Sequence, residues 1–327
     1  MENKIKKDLI EIGRLLWEKD LVCARSGNIS YRVDEKSFLL SCHDSCLGFL
    51  TEEDFVLMDL QGKVLKGKNP STESRLHSEI YVNIASAKVV IHTHTSHING
   101  YFTTRDTFAP FTFETKLYIG SISAIPQTTP AVTEIRPVIE SLQKNSLAVL
   151  KNHGVVAIGG NLLDAFFLIQ TLEEAIKMEA IRKIFSGGNQ ESKSKEQKTG
   201  SQKKFKLFSP EQVDMIVSLI NQDPQIEKLG KELKVTLTMA VKMDDTGEAF
   251  RFSFKDGKIT EVTKSQDAEF IISGPEKVWR QIFNREIDPF VATTQKKLNL
   301  KGDFAKLSRW YAPFSRIFEL WNQVPVE

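Results

Sequence analysis

The chain has 327 residues, about twice the commonest domain size, which favours two domains that each bury their own core. It is 41% hydrophobic and 26% charged, with a mean hydropathy of −0.25, a composition that excludes wholesale disorder and a collagen-like repeat, while three cysteines exclude a disulfide framework. A net charge of +2 is too small for a phosphate-tracking nucleic-acid binder, and no apolar run approaches the roughly 18 residues of a membrane span.

In chain order, Ile5, Leu9, Ile12, Leu15 and Leu16 recur at three- and four-residue spacing and predict an amphipathic helix over residues 5–19. Its charged approach, Met1-Glu2-Asn3-Lys4, does not read as a signal peptide, so a cytoplasmic protein is expected, and free thiols at Cys23, Cys42 and Cys46 suit a reducing compartment. Arg25-Ser26-Gly27-Asn28-Ile29-Ser30 reads as a turn whose glycine lets backbone approach an anion. Short strands are expected at 38–40, 55–58 and 89–91. A helix begins after Pro70-Ser71-Thr72 and carries Leu76, Ile80, Tyr81 and Ile84 on one face. Free N–H groups at its start, near Ser71 and Thr72, could join the Gly27 turn in cradling a phosphate or carboxylate. Apolar runs at 147–150 and 155–158 flank the polar turn Lys151-Asn152-His153-Gly154, and a long helix follows over 162–185. Strands and helices interleave without a regular strand-helix-strand period, so residues 1–185 are expected to form a layered α/β domain with a mixed or largely antiparallel sheet.

Residues 186–204 contain no large apolar side chain and carry five lysines against two glutamates. With nothing to bury they are expected to be a flexible linker, a basic tail touching acidic partners being the alternative. Residues 205–327 change period. Helices are expected near 210–220 and 224–233. Val235, Leu237, Met239, Val241 and Met243 then alternate strictly, as do Phe250, Phe252 and Phe254, with Asp256-Gly257 as a tight hairpin turn. Ala268, Phe270 and Ile272 form another strand, Ser273-Gly274-Pro275 opens a helix holding Trp279, Leu298 and Leu300 form a short strand, and a last helix presents Leu307, Tyr311, Phe314, Ile317, Phe318 and Trp321. This is an α+β pattern whose aromatic residues either fill the core or line an apolar tunnel.

All six histidines precede the linker, so imidazole chemistry belongs to the first half. In Val89-Val90-Ile91-His92-Thr93-His94 a strand would project His92 and His94 from one face, and the turn before the second apolar run could aim His153 at the pair. Three imidazoles with one open position suit a catalytic zinc. Two histidines on a strand can equally be polar residues of a solvated face. Glu73, opening the helix after Thr72, could act as general base, although a first-turn carboxylate also suits the helix dipole.

Taken together, Ser26-Gly27-Asn28, Pro70-Ser71-Thr72-Glu73, His92-Thr93-His94 and Asn152-His153-Gly154 resemble the class II aldolase/adducin family over residues 5–185. The resemblance implies a mixed-sheet α/β/α sandwich, with zinc or another divalent metal held by His92, His94 and His153. It implies Glu73 as the acid/base residue, and Ser26, Gly27, Asn28, Ser71 and Thr72 lining a substrate phosphate. It further implies aldolase-type lyase chemistry on a small hydroxy-carbonyl substrate through an ene-diolate, in a homo-oligomer that is commonly a tetramer. Epimerisation, dehydration, decarboxylation and a non-catalytic adducin-like scaffold are the alternatives within the family. The family's second phosphate turn is replaced here by Ser41-Cys42-His43-Asp44-Ser45-Cys46, where Asp44 would repel a phosphate. Cys42, His43 and Cys46 read as ordinary residues or as a second metal site. Glu114 stands where related enzymes carry a further catalytic group, or is a surface carboxylate beside Lys116. His97 is expected behind the site or in the core, and His77 on a helix surface. Residues 206–323 resemble the sterol carrier protein lipid-binding domain, carried by Ser273-Gly274-Pro275, Ile287-Asp288-Pro289 and Leu298-Asn299-Leu300-Lys301-Gly302-Asp303, which implies a fatty acyl or sterol-like ligand.

Overall fold

The computed structural model describes residues 2–127, 129, 132–186, 204–303, 306, 310–321 and 323–327. The expected linker, apart from its end residues Ser186 and Lys204, lies outside the described residues, as does Leu307. The chain forms two compact units, Met1–Ser192 and Lys193–Glu327.

The first unit begins with α1 (Glu2–Glu18), β1 (Asn28–Arg32), β2 (Ser37–Ser41), β3 (Phe55–Asp59) and β4 (Val64–Lys66). Next come α2 (Ser74–Asn83), β5 (Val89–Thr93), α3 (Ser96–Thr104), β6 (Thr107–Phe108), α4 (Phe113–Tyr118) and β7 (Ile122–Ile125). It closes with α5 (Ile135–Lys144), β8 (Leu147–Leu150), β9 (Gly154–Gly159) and α6 (Leu162–Phe185). The nine strands form one sheet in the order β4-β3-β2-β1-β5-β9-β8-β7-β6. Only the β7/β8 pair is parallel, so the sheet is mixed, as the irregular alternation of elements predicts.

Period-two alternation decides which residues meet which helices. Val89 and Ile91 of β5 pack with Leu9, Leu16, Phe102 and Ile169, the inward faces of α1, α3 and α6. Val90 points the other way, with Phe38, Leu40, Val156 and Ile158, onto Leu76, Ile80 and Tyr81 of α2 and Val138 and Leu142 of α5. The result is an α/β/α sandwich. Each fully buried Leu or Ile of these layers contributes about 1.5–3 kcal/mol of transfer free energy. Because Asn28 stands opposite His92 and Ser30 opposite Val90 in the antiparallel β1/β5 register, Asn28, Ser30 and His92 all face α2. The segment read as a turn over 25–30 is therefore a turn only up to Gly27, and a strand from Asn28 onward.

The second unit contains α7 (Pro210–Gln222), α8 (Pro224–Glu232), β10 (Thr236–Met243), β11 (Ala249–Lys255), β12 (Lys258–Thr263) and β13 (Phe270–Gly274), then α9 (Glu276–Phe283), α10 (Pro289–Thr294), β14 (Asn299–Lys301) and α11 (Tyr311–Trp321). Its sheet order is β12-β11-β10-β13-β14. The expected antiparallel run holds for β10 to β12, whereas β13 crosses over to lie parallel to β10 on its other edge. Asp256 and Gly257 both take positive φ, 49° and 83°, the geometry a two-residue type I′ hairpin requires. One face of the sheet packs Phe250, Phe252 and Phe254 with Trp279, Phe314 and Trp321 into a single core. Asp223 carries the start of α8. One carboxylate oxygen accepts from the backbone of Gln225 and Ile226, and the other accepts from Arg316 of α11 at 2.7 Å. No described helix is long and apolar enough to cross a membrane.

Candidate metal centre

Strand β5 ends at Thr93, so His92 is the last inward-facing residue of the strand and His94 lies just beyond its end. The two rings nonetheless meet, their Nε2 atoms 2.9 Å apart. His153 arrives from the β8/β9 turn, where Asn152 takes the left-handed conformation with φ 59° and reverses the chain. Among the described residues, the three imidazoles form the single group of three donors whose ligand atoms all lie within 4.8 Å of one another. Two glycines allow this convergence. A Cβ on Gly27, whose φ is +85°, would sit 2.7 Å from the His92 carbonyl oxygen. One on Gly154 would sit 2.3 Å from the Thr93 carbonyl oxygen and 2.8 Å from an imidazole carbon of His94.

Glu73 is the N-cap residue of α2 but caps nothing with its side chain. Its carboxylate instead lies buried under the histidines, Oε2 3.2 Å from His92 Nε2 and Oε1 3.4 Å from His153 Nε2. Burial acts to raise its pKa, but His92, the hydrogen bond donated by Asn28, and the more distant His153 and His77 outweigh it and hold the carboxyl below its ordinary 4.5. The imidazoles go the other way. Burial, reinforced by neighbouring rings, lowers His94 to about 4 and depresses His153, so both are neutral at pH 7. The Nδ1 of His92 lies 3.0 Å from the Val155 carbonyl oxygen and donates to it, which turns Nε2 toward His94 and Glu73. The Nδ1 of His153 is buried with no hydrogen-bond partner among the described residues. Three converging nitrogen donors, one anionic oxygen and an unmade buried contact fit a divalent cation.

The supports come from α3 and α6. Glu173, almost wholly buried on α6, accepts from the backbone of His97 and Ile98 at 3.3 and 3.1 Å and from His97 Nδ1 at 2.6 Å. It thereby fixes the start of α3, two residues past His94. Asn99 of α3 donates to the His153 carbonyl at 3.1 Å.

The other expected site residues divide. Ser71 is buried and its hydroxyl accepts from the Glu73 amide at 3.3 Å, while Thr72 is exposed. The Ser26 hydroxyl closes its own turn onto the Cys23 carbonyl at 2.6 Å. Asn28, expected to line a phosphate, has its amide committed to Glu73 at 2.9 Å and to His77. Glu114 is exposed on the first turn of α4 and is not among the groups gathered at the histidines. One histidine reading is corrected. His77 is fully buried rather than on a helix surface, because its face of α2 meets β1. Of the two positions expected for His97, behind the site or in the core, it takes the first: its ring is half-exposed and bonds the Glu173 carboxylate. Cys42, His43 and Cys46 do not converge as ligands, and the cysteines are free thiols. Asp44, whose φ is 62°, faces Arg25 at 3.9 Å and His43 at 3.5 Å.

Sandwich and histidine centre together define a class of metal-site α/β proteins, and comparison with known proteins narrows it. Residues 7–180, more than half of the chain, match the Class II Aldolase and Adducin N-terminal domain, and the chain belongs to that family. Residues 216–314 match the SCP-2 sterol transfer family. The chain is similar to an L-fuculose phosphate aldolase of Methanococcus vannielii, 31% identical over 175 residues that cover 54% of this chain and 95% of the relative. It is also similar to a 3-oxo-tetronate 4-phosphate decarboxylase of Haemophilus influenzae, 29% identical over 53% of this chain and 85% of the relative. Among solved structures, the L-fuculose-1-phosphate aldolase of Thermus thermophilus superposes with a TM-score of 0.53 at 25% identity, covering 58% of this chain and 99% of that one.

Proposed function

We propose that the first unit is a metal-dependent aldolase-type lyase for a small hydroxy-carbonyl compound, a sugar or sugar phosphate, with His92, His94 and His153 as the metal ligands and Glu73 as the proton carrier. The observation that carries this reading is the buried Glu73 carboxylate lying within 3.2 and 3.4 Å of two of three converging imidazoles. A non-catalytic scaffold has no use for such a group. When bound, the divalent ion supplies Lewis-acid stabilisation of negative charge on substrate oxygens. Glu73, held ionised, takes the proton from the carbon beside the substrate carbonyl. The electron pair so released gives an ene-diolate, whose carbon then forms the bond to the aldehyde, and the aldehyde oxygen takes its proton from a second acid. Cleavage runs the same steps backward. Glu114 is the proposed second acid, on chemical type alone. Ser26, Gly27, Ser71 and Thr72 are the proposed substrate cradle, with Asn28 serving it through Glu73.

Decarboxylation is the second reading, supported by the Haemophilus influenzae relative, since loss of carbon dioxide from a 3-oxo acid leaves the same kind of electron-rich carbon for Glu73 to protonate. The division into domains at 1–185 and 205–327 joined by residues 186–204 belongs to the same proposal, supported by family matches on either side of that segment. So does a homo-oligomer, supported by the exposed apolar stripe Leu163, Phe167, Met178, Ile181 and Phe185 along α6. Free cysteines support a cytoplasmic setting. The second unit is proposed to take an acyl or sterol-like ligand among its core aromatics.

The test is a screen of cleavage and decarboxylation with phosphorylated and unphosphorylated hydroxy-carbonyl compounds on zinc-loaded protein. Turnover that falls about 10²–10⁴-fold in Glu73→Gln supports the reading; a Glu73→Gln variant as active as the parent contradicts it.

A further inference from the structure

From Glu73 Oε2, the carboxylate oxygen that also lies 3.2 Å from His92 Nε2 and accepts from Asn28 Nδ2 at 2.9 Å, a continuous line of polar side chains runs into the sandwich. His77 Nε2 is 2.5 Å from Asn28 Oδ1, Ser30 Oγ is 2.6 Å from His77 Nδ1, and the Tyr81 hydroxyl is 2.7 Å from Ser30 Oγ. Ser30 and His77 are fully buried, and Tyr81 is 1% exposed. Glu73, His77 and Tyr81 stand at four-residue intervals on α2, and Asn28 and Ser30 at a two-residue interval on β1, so two regular elements present the whole line to each other.

One end sets the direction of every hydrogen bond in it. An ionised carboxylate only accepts, so the amide end of Asn28 that faces Glu73 is Nδ2. Its Oδ1 then needs a donor, so His77 carries its proton on Nε2. A neutral ring so protonated accepts at Nδ1, so Ser30 donates there, and the Ser30 oxygen accepts from the Tyr81 hydroxyl. Burial suits each member to this role, lowering His77 to about 3 and raising Tyr81 above its ordinary 10, so that the ring stays neutral and the phenol protonated. With the other tautomer two acceptors would face each other inside a dry layer, and Asn28 could relieve them only by turning its oxygen onto Glu73.

We propose that His77, held in the Nε2–H tautomer by Ser30 and Tyr81, is a positioning residue that locks the Asn28 amide and through it the orientation of the Glu73 carboxylate. It rests on the reading of Glu73 as proton carrier. It is not one of the three proposed ligands, and acts through two hydrogen bonds.

Two measurements on the full-length chain test it. In long-range ¹H–¹⁵N spectra of ¹⁵N-histidine protein, one of six ring patterns should show a neutral Nε2–H imidazole and vanish in His77→Gln; a His77 ring that is Nδ1–H or doubly protonated overturns the proposal. In kinetics, His77→Leu should lower kcat about 10–100-fold with KM nearly unchanged and bound metal retained. His77→Gln, whose amide can still donate to Asn28 and accept from Ser30, should recover to within about threefold of the parent. Equal losses in both variants, or an undiminished kcat in His77→Leu, refute it. Should His77→Leu fail to fold, the ring pattern and the Gln variant still decide. Should the parent protein show no turnover, the proposed reaction falls, while the tautomer remains measurable and decides the hydrogen-bond line by itself.

Discussion

Adding one methyl group at Gly154 should disturb both the sandwich and the metal centre. The backbone there is not left-handed, so an alanine suffers no conformational penalty and any effect is steric. Its Cβ would lie 2.3 Å from the Thr93 carbonyl oxygen, 2.8 Å from His94 Cδ2 and 3.0 Å from His92 Cε1. A carbon and a carbonyl oxygen need about 1 Å more than that first distance, and the oxygen belongs to the sheet backbone, so β5 and β9 must part or shear. Overpacking of this kind costs about 1–3 kcal/mol. For a unit of this size each kcal/mol corresponds to about 2–4 °C, so a mid-range cost lowers the melting temperature of the first unit by about 4–8 °C. Because two of the three crowded atoms are imidazole carbons, zinc affinity should fall as well, by about tenfold or more. The assay is calorimetry of Gly154→Ala with and without zinc. Gly100→Ala is the control, since that glycine is inside α3 with nothing within 4 Å of the added carbon, and it should gain about 0.5–1 kcal/mol. A Gly154→Ala protein that melts within about 1 °C of the parent and binds zinc equally well would refute the close approach of β9 to the ligands.

Further outcomes follow from the supports. Glu173→Ala leaves two backbone N–H groups at the start of α3 unpaired and should cost about 1–3 kcal/mol in denaturant unfolding, with weaker zinc binding because α3 also anchors His153. Trp279→Ala removes a fully buried indole whose N–H donates to the Lys242 carbonyl at 2.9 Å, and should lower the stability of the second unit by about 3–5 kcal/mol while the zinc-responsive transition stays in place. Asp223→Asn keeps a capping oxygen but loses the charge facing Arg316. Burial acts to raise the Asp223 pKa, but Arg316 and the capped amides outweigh it and set it below its ordinary 3.8. A carboxyl depressed in the folded state contributes stability that is complete above the unfolded value and lost as pH falls through the folded one. The stability gap between parent and Asp223→Asn should therefore be full at about pH 6 and shrink at about pH 3, and a gap independent of pH would contradict the ion pair.

The layered architecture was legible because apolar period is a local property: Val89 to Ile91, Leu147 to Leu150 and Val155 to Ile158 are runs that only a sheet covered on both faces buries. The histidine trio was legible from its two-residue spacing and its glycine-flanked third member. The geometry behind the spacing was not, since β5 stops at Thr93 and His94 reaches the pair from beyond the strand. Asn28-Ile29-Ser30 resembles a turn in sequence because its polar residues hide a strand whose polar face is spent on side-chain hydrogen bonds. The burial of His77 is hidden in the sequence for a related reason. The apolar stripe of α2 marks only the face of Leu76 and Ile80, whereas the polar repeat Glu73, His77, Tyr81 marks a second buried face. The parallel β10/β13 pairing rests on a crossover, which strand alternation by itself does not report.

One divalent ion should be held by His92, His94 and His153. Elemental analysis by mass spectrometry of untagged protein, dialysed after zinc loading, tests it most directly. About one zinc per chain is expected in the parent, and none retained once His92 and His94 are both replaced by alanine in a chain that still folds. Zinc-free parent protein, or equal zinc in parent and variant, would contradict it.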